Sequence, residues 1–226
     1  MKFLSYGHSC FAVETAGKTL LFDPFITPNA LAASISLDQV RADYIFITHG
    51  HADHIADAVE LAGKTGATVV SNFEIVTWLE GQGVKNTHPM NLGGSRSFDF
   101  GRVKSVVAHH SSQLPDGSYG GNPGGFVIES EEGAFYYAGD TALTLDMKLL
   151  PEEFDLRFAV LPIGDNFTMG AADAARAAQF LKCRTVVGVH YDTFPWIRID
   201  HALAEGTFAR AGVKLLLPAV GQSLDL

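Results

Sequence analysis

Short runs of β-branched and aromatic residues recur along the whole chain, and only a few helical patterns separate them. These runs predict strands at Lys2–Ser5, Cys10–Glu14, Thr19–Phe22, Tyr44–Thr48, Thr68–Ser71, Val103–Ala108, Gly125–Glu129, Ala134–Tyr137, Phe158–Pro162, Thr185–Val189 and Lys214–Leu217. Helices are predicted at Ile55–Thr65, Glu74–Gln82, Ala171–Leu181 and Asp200–Arg210. A chain with many strands and few helices is expected to form two sheets covered by outer helices, an α/β layered sandwich.

The length of 226 residues favours a single domain that covers residues 1–226. Lys and Arg number 16 against 25 Asp and Glu, and the resulting net charge of -9 repels a phosphate backbone. We therefore expect a small-molecule substrate and no nucleic-acid partner.

No window approaches the roughly 18 uninterrupted apolar residues of a membrane span, and the first residues lack the pattern of a signal peptide. These absences predict a cytoplasmic protein without a membrane partner. The mean hydropathy of +0.14 is high for a soluble monomer, and an apolar face buried in a homo-oligomer is one explanation.

His49, His51, Asp53 and His54 directly follow an apolar strand and form the pattern H-x-H-x-D-H. In an extended segment, His49 and His51 project to the same side, so their imidazoles can share one cation. The small residues Gly50 and Ala52 allow the backbone to bend, and this bend carries Asp53 and His54 toward the position of a second metal. The pattern favours two adjacent metals, because a loop that merely caps a helix explains one aspartate and none of the histidines.

Further candidate ligands follow later strands. His109 or His110 ends one strand, and alternation points only one of the two inward. Asp140 follows a strand and a glycine, where its carboxylate could bridge two cations or serve only as a turn residue. His190 ends another buried strand, as a ligand or as a core histidine. Together these residues predict one site at one edge of the sandwich.

The order of these residues resembles that of the metallo-β-lactamase-fold hydrolases. Within that superfamily, the chain looks like the small metal-dependent hydrolases related to ascorbate-phosphate lactonases, in the segments YGHSCF, DPF, AHHSS, AGDTA, PIGDNFTMG and HYDTFP. The resemblance runs from Tyr6 to Pro195. It implies a four-layer αββα sandwich with two mixed sheets and outer helices.

The resemblance also implies the ligand set of a binuclear site. It places His49, His51 and His110 on the first metal, Asp53, His54 and His190 on the second, and Asp140 between them. His110 is chosen because in this branch the ligand directly precedes the paired serines. The neighbouring His109 leaves that choice open.

Two divalent ions in such a site lower the pKa of a bridging water toward about 7 and so generate a hydroxide nucleophile. One ion also polarises the substrate's carbonyl or phosphoryl oxygen. Asp53 is expected to orient the hydroxide and to carry its proton to the leaving group. Zinc is the default metal and manganese or iron the alternative, because histidine with carboxylate suits all three.

Two residues near the N-terminus are candidates for supporting roles. His8 is predicted to contact the substrate or donate a proton; the alternative is a surface-turn histidine beside Gly7. Asp23 is predicted to hydrogen-bond a ligand histidine, although it could simply end a strand before Pro24.

The remaining candidates lie near the C-terminus. Asn166 is predicted to bind substrate, with capping of the following helix as the alternative. Phe194 and Trp196 could wall the pocket or belong to the core. His88 and His201 are expected to be ordinary surface residues.

These observations favour hydrolysis of an ester, a lactone, an amide or a phosphate-bearing small molecule. Nuclease-type phosphodiester cleavage is the second hypothesis, and the acidic balance of the chain disfavours it. A third is a non-hydrolytic di-metal protein, for redox chemistry or binding. Fold alone cannot select among them.

Overall fold

A strand forms at each of the eleven predicted positions, and with three further strands they make two seven-stranded sheets. The computed structural model describes all residues 1–226. The first sheet contains β1 (Lys2–Gly7), β2 (Cys10–Thr15), β3 (Lys18–Phe22), β4 (Tyr44–Phe46), β5 (Thr68–Ser71) and β6 (Thr87–Pro89). The second contains β7 (Ser95–Phe98), β8 (Gly101–Val107), β9 (Gly124–Ser130), β10 (Gly133–Tyr137), β11 (Leu156–Pro162), β12 (Thr185–Val189) and β13 (Lys214–Leu216). The C-terminal strand β14 (Ser223–Asp225) returns to the first sheet.

Both sheets are mixed. In the first, the order is β14-β1-β2-β3-β4-β5-β6, and the pairing changes from antiparallel to parallel at β3. In the second, the order is β13-β12-β11-β10-β9-β8-β7, and the same change occurs at β10. The hairpin between β2 and β3 turns at Ala16 and Gly17, both with positive φ, as a two-residue hairpin requires.

Helices cover the outer face of each sheet. They are α1 (Ala52–Ile55), α2 (Ala58–Thr65), α3 (Phe73–Gly81), α4 (Leu150–Glu153), α5 (Ala171–Phe180) and α6 (His201–Arg210). Leu61 and Leu79, from α2 and α3, pack on the first sheet, whereas Ala174 and Phe208, from α5 and α6, pack on the second. The predicted αββα sandwich is therefore confirmed. None of the helices is both long enough and apolar enough to cross a bilayer.

Aromatic side chains dominate the layer between the sheets. Phe22 stacks on Phe11 and Phe46, with ring centroids 4.7 and 5.1 Å apart, and all three belong to the first sheet. Phe135 and Phe158 stack across two strands of the second sheet at 4.9 Å. Stacked rings of this size bury much apolar area and fix the spacing of the two sheets.

Three strands escaped prediction, and all are short strands at sheet edges. β6 contains a proline, most of β7 is exposed and polar, and β14 has only three residues. Their pairing depends on a neighbouring strand, because their own sequences lack an apolar alternation. In addition, β4 ends at Phe46 and not at Thr48 as predicted, since the Thr48 amide donates to Asp23 Oδ1.

The predicted helix over Ile55–Thr65 is in fact two helices, and the first begins earlier, at Ala52. The break lies at Asp57, whose buried carboxylate accepts hydrogen bonds from the amides of Ile26 (2.6 Å) and Thr27 (2.9 Å). The Asp57 amide donates to Pro24. The Asp57 side chain therefore fixes the loop after β3. The helix is interrupted at the residue that makes these contacts.

The stacked core predicts a large cost for removing Phe22, which is fully buried. We expect Phe22→Ala to lower the free energy of unfolding by about 3–5 kcal/mol, because it leaves a cavity among rings that cannot close it. Phe73→Ala is the matched control, since Phe73 is 59% exposed, and its effect should stay within about 0.5 kcal/mol. Urea unfolding followed by circular dichroism measures both. Equal losses in the two variants would contradict this description of the core.

Candidate metal centre

The candidate ligands lie at the ends of strands from both sheets. His49, His51 and the start of α1 follow β4 in the first sheet. From the second sheet, His110 follows β8, Asp140 follows β10 and His190 directly follows β12. The backbone amide of His190 donates to the carbonyl of His8 (3.0 Å), which joins the two sheets at the site.

The first group consists of His49, His51 and His110, whose ring nitrogens all lie within 4.8 Å of one another. His49 Nε2 and His51 Nδ1 are 3.0 Å apart. The ring of His110 is centred 5.1 Å from both of the other rings. Three imidazoles converging in this way can hold one cation.

The second group consists of His8, Asp53, His54 and His190, again with ligand atoms within 4.8 Å. Asp53 Oδ2 is 3.8 Å from His190 Nε2 and 4.0 Å from His54 Nε2. His8 Nε2 is 3.1 Å from the same oxygen. The sequence had predicted three of these four residues as ligands of one metal and had assigned His8 another role.

Asp140 lies between the two groups, as the resemblance implied for a bridging carboxylate. Its Oδ2 is 2.9 Å from His190 Nε2, 3.4 Å from His54 Nε2 and 3.6 Å from His110 Nε2. The preceding Gly139 has φ +61°, and a Cβ there would lie 2.8 Å from the Thr48 side chain. Only glycine therefore allows Asp140 to reach this position.

Burial controls the protonation of the first group. It lowers the pKa of His49 well below its usual value, and it lowers the pKa values of His51 and His110 as well. These three imidazoles are therefore held neutral, which is the form that binds metals.

Charge interactions outweigh burial for His54 and for Asp140. Burial alone would lower the pKa of His54, but the carboxylates of Asp140 and Asp23 raise it well above the usual value. Burial would raise the pKa of Asp140, yet His190 and His54 hold it well below the usual range. A cation bound to His54 therefore displaces a proton.

A buried carboxylate, Asp23, orients a histidine from each group. Its Oδ2 accepts hydrogen bonds from His54 Nδ1 (2.8 Å) and from the Thr48 hydroxyl (2.7 Å). Because that hydroxyl donates to Asp23, it accepts from His49 Nδ1 (3.0 Å). Both histidines thus carry a proton on Nδ1, and Nε2 of each faces the site.

The arrangement fits a divalent cation. His54 Nε2 and Asp140 Oδ1 are buried and have no hydrogen-bond partner, which is rare in folded proteins. His54 belongs to the second group and Asp140 lies between the two groups. Histidines and carboxylates together are the donor set that suits zinc, manganese or iron. A cation would satisfy these atoms.

Similarity to known proteins identifies the family of this chain. A beta-lactamase superfamily domain matches residues 2–190. A UPF0173 metal-dependent hydrolase from Methylacidiphilum infernorum is 54% identical over 226 residues, covering 100% of each chain. The chain belongs to this family of metal-dependent hydrolases.

Solved structures agree with this assignment. Igni18, a metallo hydrolase from the archaeon Ignicoccus hospitalis, is 34% identical and has a TM-score of 0.88, covering 99% of this chain and 97% of its own. An isothiocyanate hydrolase from Delia radicum gut bacteria is 20% identical with a TM-score of 0.81, covering 100% and 99%, a likeness of fold alone. The resemblance to the superfamily is confirmed; the relation to ascorbate-phosphate lactonases stays a prediction.

The structure of this hydrolase separates His109 from His110. His110 joins the first group, whereas the His109 side chain is 60% exposed and its Nε2 lies 3.8 Å from Asp146. Two serines that follow brace this segment, because Ser111 Oγ lies 3.3 Å from His51 Nε2 and Ser112 Oγ accepts from the Gly50 amide.

A cleft of about 520 Å³ opens onto the two groups. The residues that line it are His51, Ala52, Asp53, His110, Ser111, Gln113, Leu114, Pro115, Asp140, Phe167, His190 and Phe194. A second cavity, of about 420 Å³, touches His8 and none of the predicted metal ligands. The first cavity is therefore the candidate substrate cleft of the hydrolase.

Several predicted substrate contacts fall elsewhere. The His8 side chain is fully buried and does not line the cleft, so the surface-turn alternative is wrong. Asn166 is exposed outside the cleft, and it does not cap α5, which Gly170 precedes. Phe194 lines the cleft, but Trp196 is 74% exposed, which excludes a core position for it.

The sequence patterns did not identify three residues of the site. Tyr137 donates from the second sheet to Asp23 Oδ2 (2.6 Å), Thr193 Oγ1 is 3.0 Å from His8 Nδ1, and Phe167 lines the cleft. The alternation of side chains along β10 predicts that Tyr137 points inward, but it does not identify the residue that Tyr137 contacts.

Among the weaker candidates, Asp23 has the predicted contact with a ligand histidine. His201 is exposed as expected, and His88 is half-buried in β6.

The Asp23 contacts predict that metal retention depends on residues that touch no metal. Asp23→Asn should weaken zinc binding about 10- to 100-fold, because His54 loses its carboxylate partner. Tyr137→Phe should weaken zinc binding less. Competition with a chromophoric zinc chelator measures both. Tyr44→Phe is the control, since its hydroxyl donates to exposed Asp99. Wild-type affinity in both site variants would contradict the role assigned to Asp23.

Proposed function

We propose that this metal-dependent hydrolase acts through two divalent cations and cleaves an ester, lactone, amide or phosphate-bearing small molecule. One observation carries the proposal. Asp140 Oδ2 lies within 3.6 Å of histidine nitrogens from both groups, the position that a carboxylate shared by two cations occupies.

His49, His51 and His110 would hold one cation, and Asp53, His54 and His190 the other, with Asp140 shared. Zinc is the first choice, with manganese and iron as alternatives. The cations would supply an activated water and polarise the carbonyl or phosphoryl oxygen of the substrate.

Asp53 performs the proton transfer in this proposal. Its side chain is 26% exposed at the floor of the cleft, and no protein group donates a hydrogen bond to its Oδ1. This oxygen can take a proton from the attacking water and deliver it to the leaving group. His8 fixes the carboxylate through Oδ2, and Thr193 fixes His8.

His8 acts as a positioning residue here. Its ring is closed off from the cleft, and Phe25 and Phe194 pack edge-on against it at 5.4 Å. Burial lowers the pKa of His8 to about 4, so the imidazole is neutral at pH 7 and donates from Nε2 to Asp53. A neutral donor orients the carboxylate without neutralising it.

The wider setting of the protein also remains a proposal. We treat residues 1–226 as one domain in the cytoplasm, with a small-molecule substrate, no nucleic-acid partner, and a homo-oligomer as an option. The net charge of -9 supports the exclusion of nucleic acid.

Replacing Asp53 tests the proton transfer. Asp53→Ala should lower kcat about 10²- to 10⁴-fold, the range for loss of a general acid-base group, while at least one metal stays bound. Initial rates and plasma emission analysis of the same samples measure the two effects. Asp173→Ala, an exposed change on α5, is the control. Undiminished turnover in Asp53→Ala would rule out this role.

A substrate panel tests the reaction class. Protein freed of metal with a chelator and reloaded with zinc or manganese should hydrolyse chromogenic esters or lactones and lose that activity when the chelator returns. Preference for phosphodiesters would favour nuclease-type cleavage. Iron in the purified protein, with no hydrolytic turnover under any metal, would favour the non-hydrolytic alternative.

A further inference from the structure

The walls of the cleft carry no positive side chain. Among the twelve lining residues there is no lysine and no arginine. Apart from the candidate metal ligands, which form the floor of the cleft, the polar lining residues are Ser111 and Gln113. The Gln113 amide donates to the Gly117 carbonyl of its own loop. Away from the metal centre, the lining residues therefore offer no positive charge to pair with an anionic group of the substrate.

The floor adds negative charge. Asp53 and Asp140 both open onto the cleft, and the whole chain has a net charge of -9. Bound cations would neutralise the two carboxylates, and the reacting group of the substrate would lie against these cations. A second anionic group on the substrate would have to leave water and face apolar walls without a partner, which is costly.

The walls are instead apolar. Phe167 lines the cleft although its side chain is 52% exposed, on a turn where Asp165 and Asn166 both have positive φ. Leu114 and Phe194 line it as well. A large aromatic residue left this exposed beside a catalytic floor marks a contact surface for a ligand.

Resting on the hydrolase function proposed above, we propose that the substrate is uncharged and apolar next to its scissile bond. This apolar part packs on Phe167, Phe194 and Leu114. Small molecules whose acyl part carries a second anionic group, such as a terminal carboxylate, are poor ligands and poor substrates. The proposal thus narrows the substrate class to neutral esters, lactones or amides with an apolar acyl group.

The first arm of the test measures binding and needs no turnover. Hexanohydroxamic acid and adipic monohydroxamic acid share a metal-binding head and a six-carbon chain, but the second ends in a carboxylate. Isothermal titration of the zinc-loaded protein should give a Kd at least about tenfold lower for the hexanoyl compound, since the carboxylate finds no partner. Equal affinity, or tighter binding of the adipic compound, would overturn the inference.

Two substitutions test the walls. Phe167→Ala should raise the Kd of the hexanoyl compound about 2- to 10-fold, the effect of losing an aromatic contact. Phe73→Ala, equally exposed but outside the cleft, should leave it unchanged. Gln113→Lys should tighten binding of the adipic compound up to about fivefold, the effect of one exposed ion pair. Identical behaviour of Phe167→Ala and Phe73→Ala would refute the assigned contact.

The second arm measures kcat/KM for 4-nitrophenyl hexanoate and mono-4-nitrophenyl adipate, which share one leaving group. Faster hydrolysis of the hexanoate supports the inference, and equal or faster hydrolysis of the adipate overturns it. If the hydroxamates discriminate but no ester, lactone or amide is cleaved, the proposed reaction fails while the apolar cleft stands. The two failures are therefore distinguishable.

Discussion

The metal centre depends on one buried carboxylate. Asp23 accepts hydrogen bonds from the Thr48 amide and hydroxyl, from His54 and from Tyr137, all between 2.6 and 2.8 Å. Its side chain is fully buried, so these donors compensate a desolvation cost that would otherwise be several kcal/mol. They also link the first sheet, which contributes Asp23, to the second, which contributes Tyr137. The same interaction therefore joins the layers and sets the direction in which two histidines point.

The candidate ligands meet at one edge of the sandwich, and holding them there requires a rigid core. The stacked phenylalanines between the sheets hold the strand ends at fixed spacing, and the ligands follow those ends within a few residues. Three site residues, His8, Asp23 and His190, have positive φ values of 42° to 57°. Each such conformation costs about 1–3 kcal/mol and persists only where the surroundings impose it. Strain at the site is thus sustained by packing elsewhere in the fold.

The features that depend on a local sequence pattern were predicted from the sequence. Apolar alternation located most strands, and the H-x-H-x-D-H segment with Asp140 and His190 marked residues that the structure brings together. It could not predict contacts between distant segments. Tyr137 reaches Asp23 across 114 residues, and Asp57 interrupts a helix in order to hold a loop 30 residues earlier. Phe167 was missed for a similar reason, because it lines the cleft only through the turn in which Asp165 and Asn166 have positive φ, and the sequence alone did not reveal that turn.

The floor and the walls of the cleft have different origins in the fold. The floor lies on strand ends, where the position of a side chain is fixed by the sheets. Phe167 and Phe194, in the walls, lie on loops, and loops vary more readily than the core does. Proteins can share this fold at 20% identity, and the fold alone does not determine which molecules they accept. Selectivity therefore depends on the loop side chains of this chain, and those that line the cleft include Phe167 and Phe194 but no lysine or arginine.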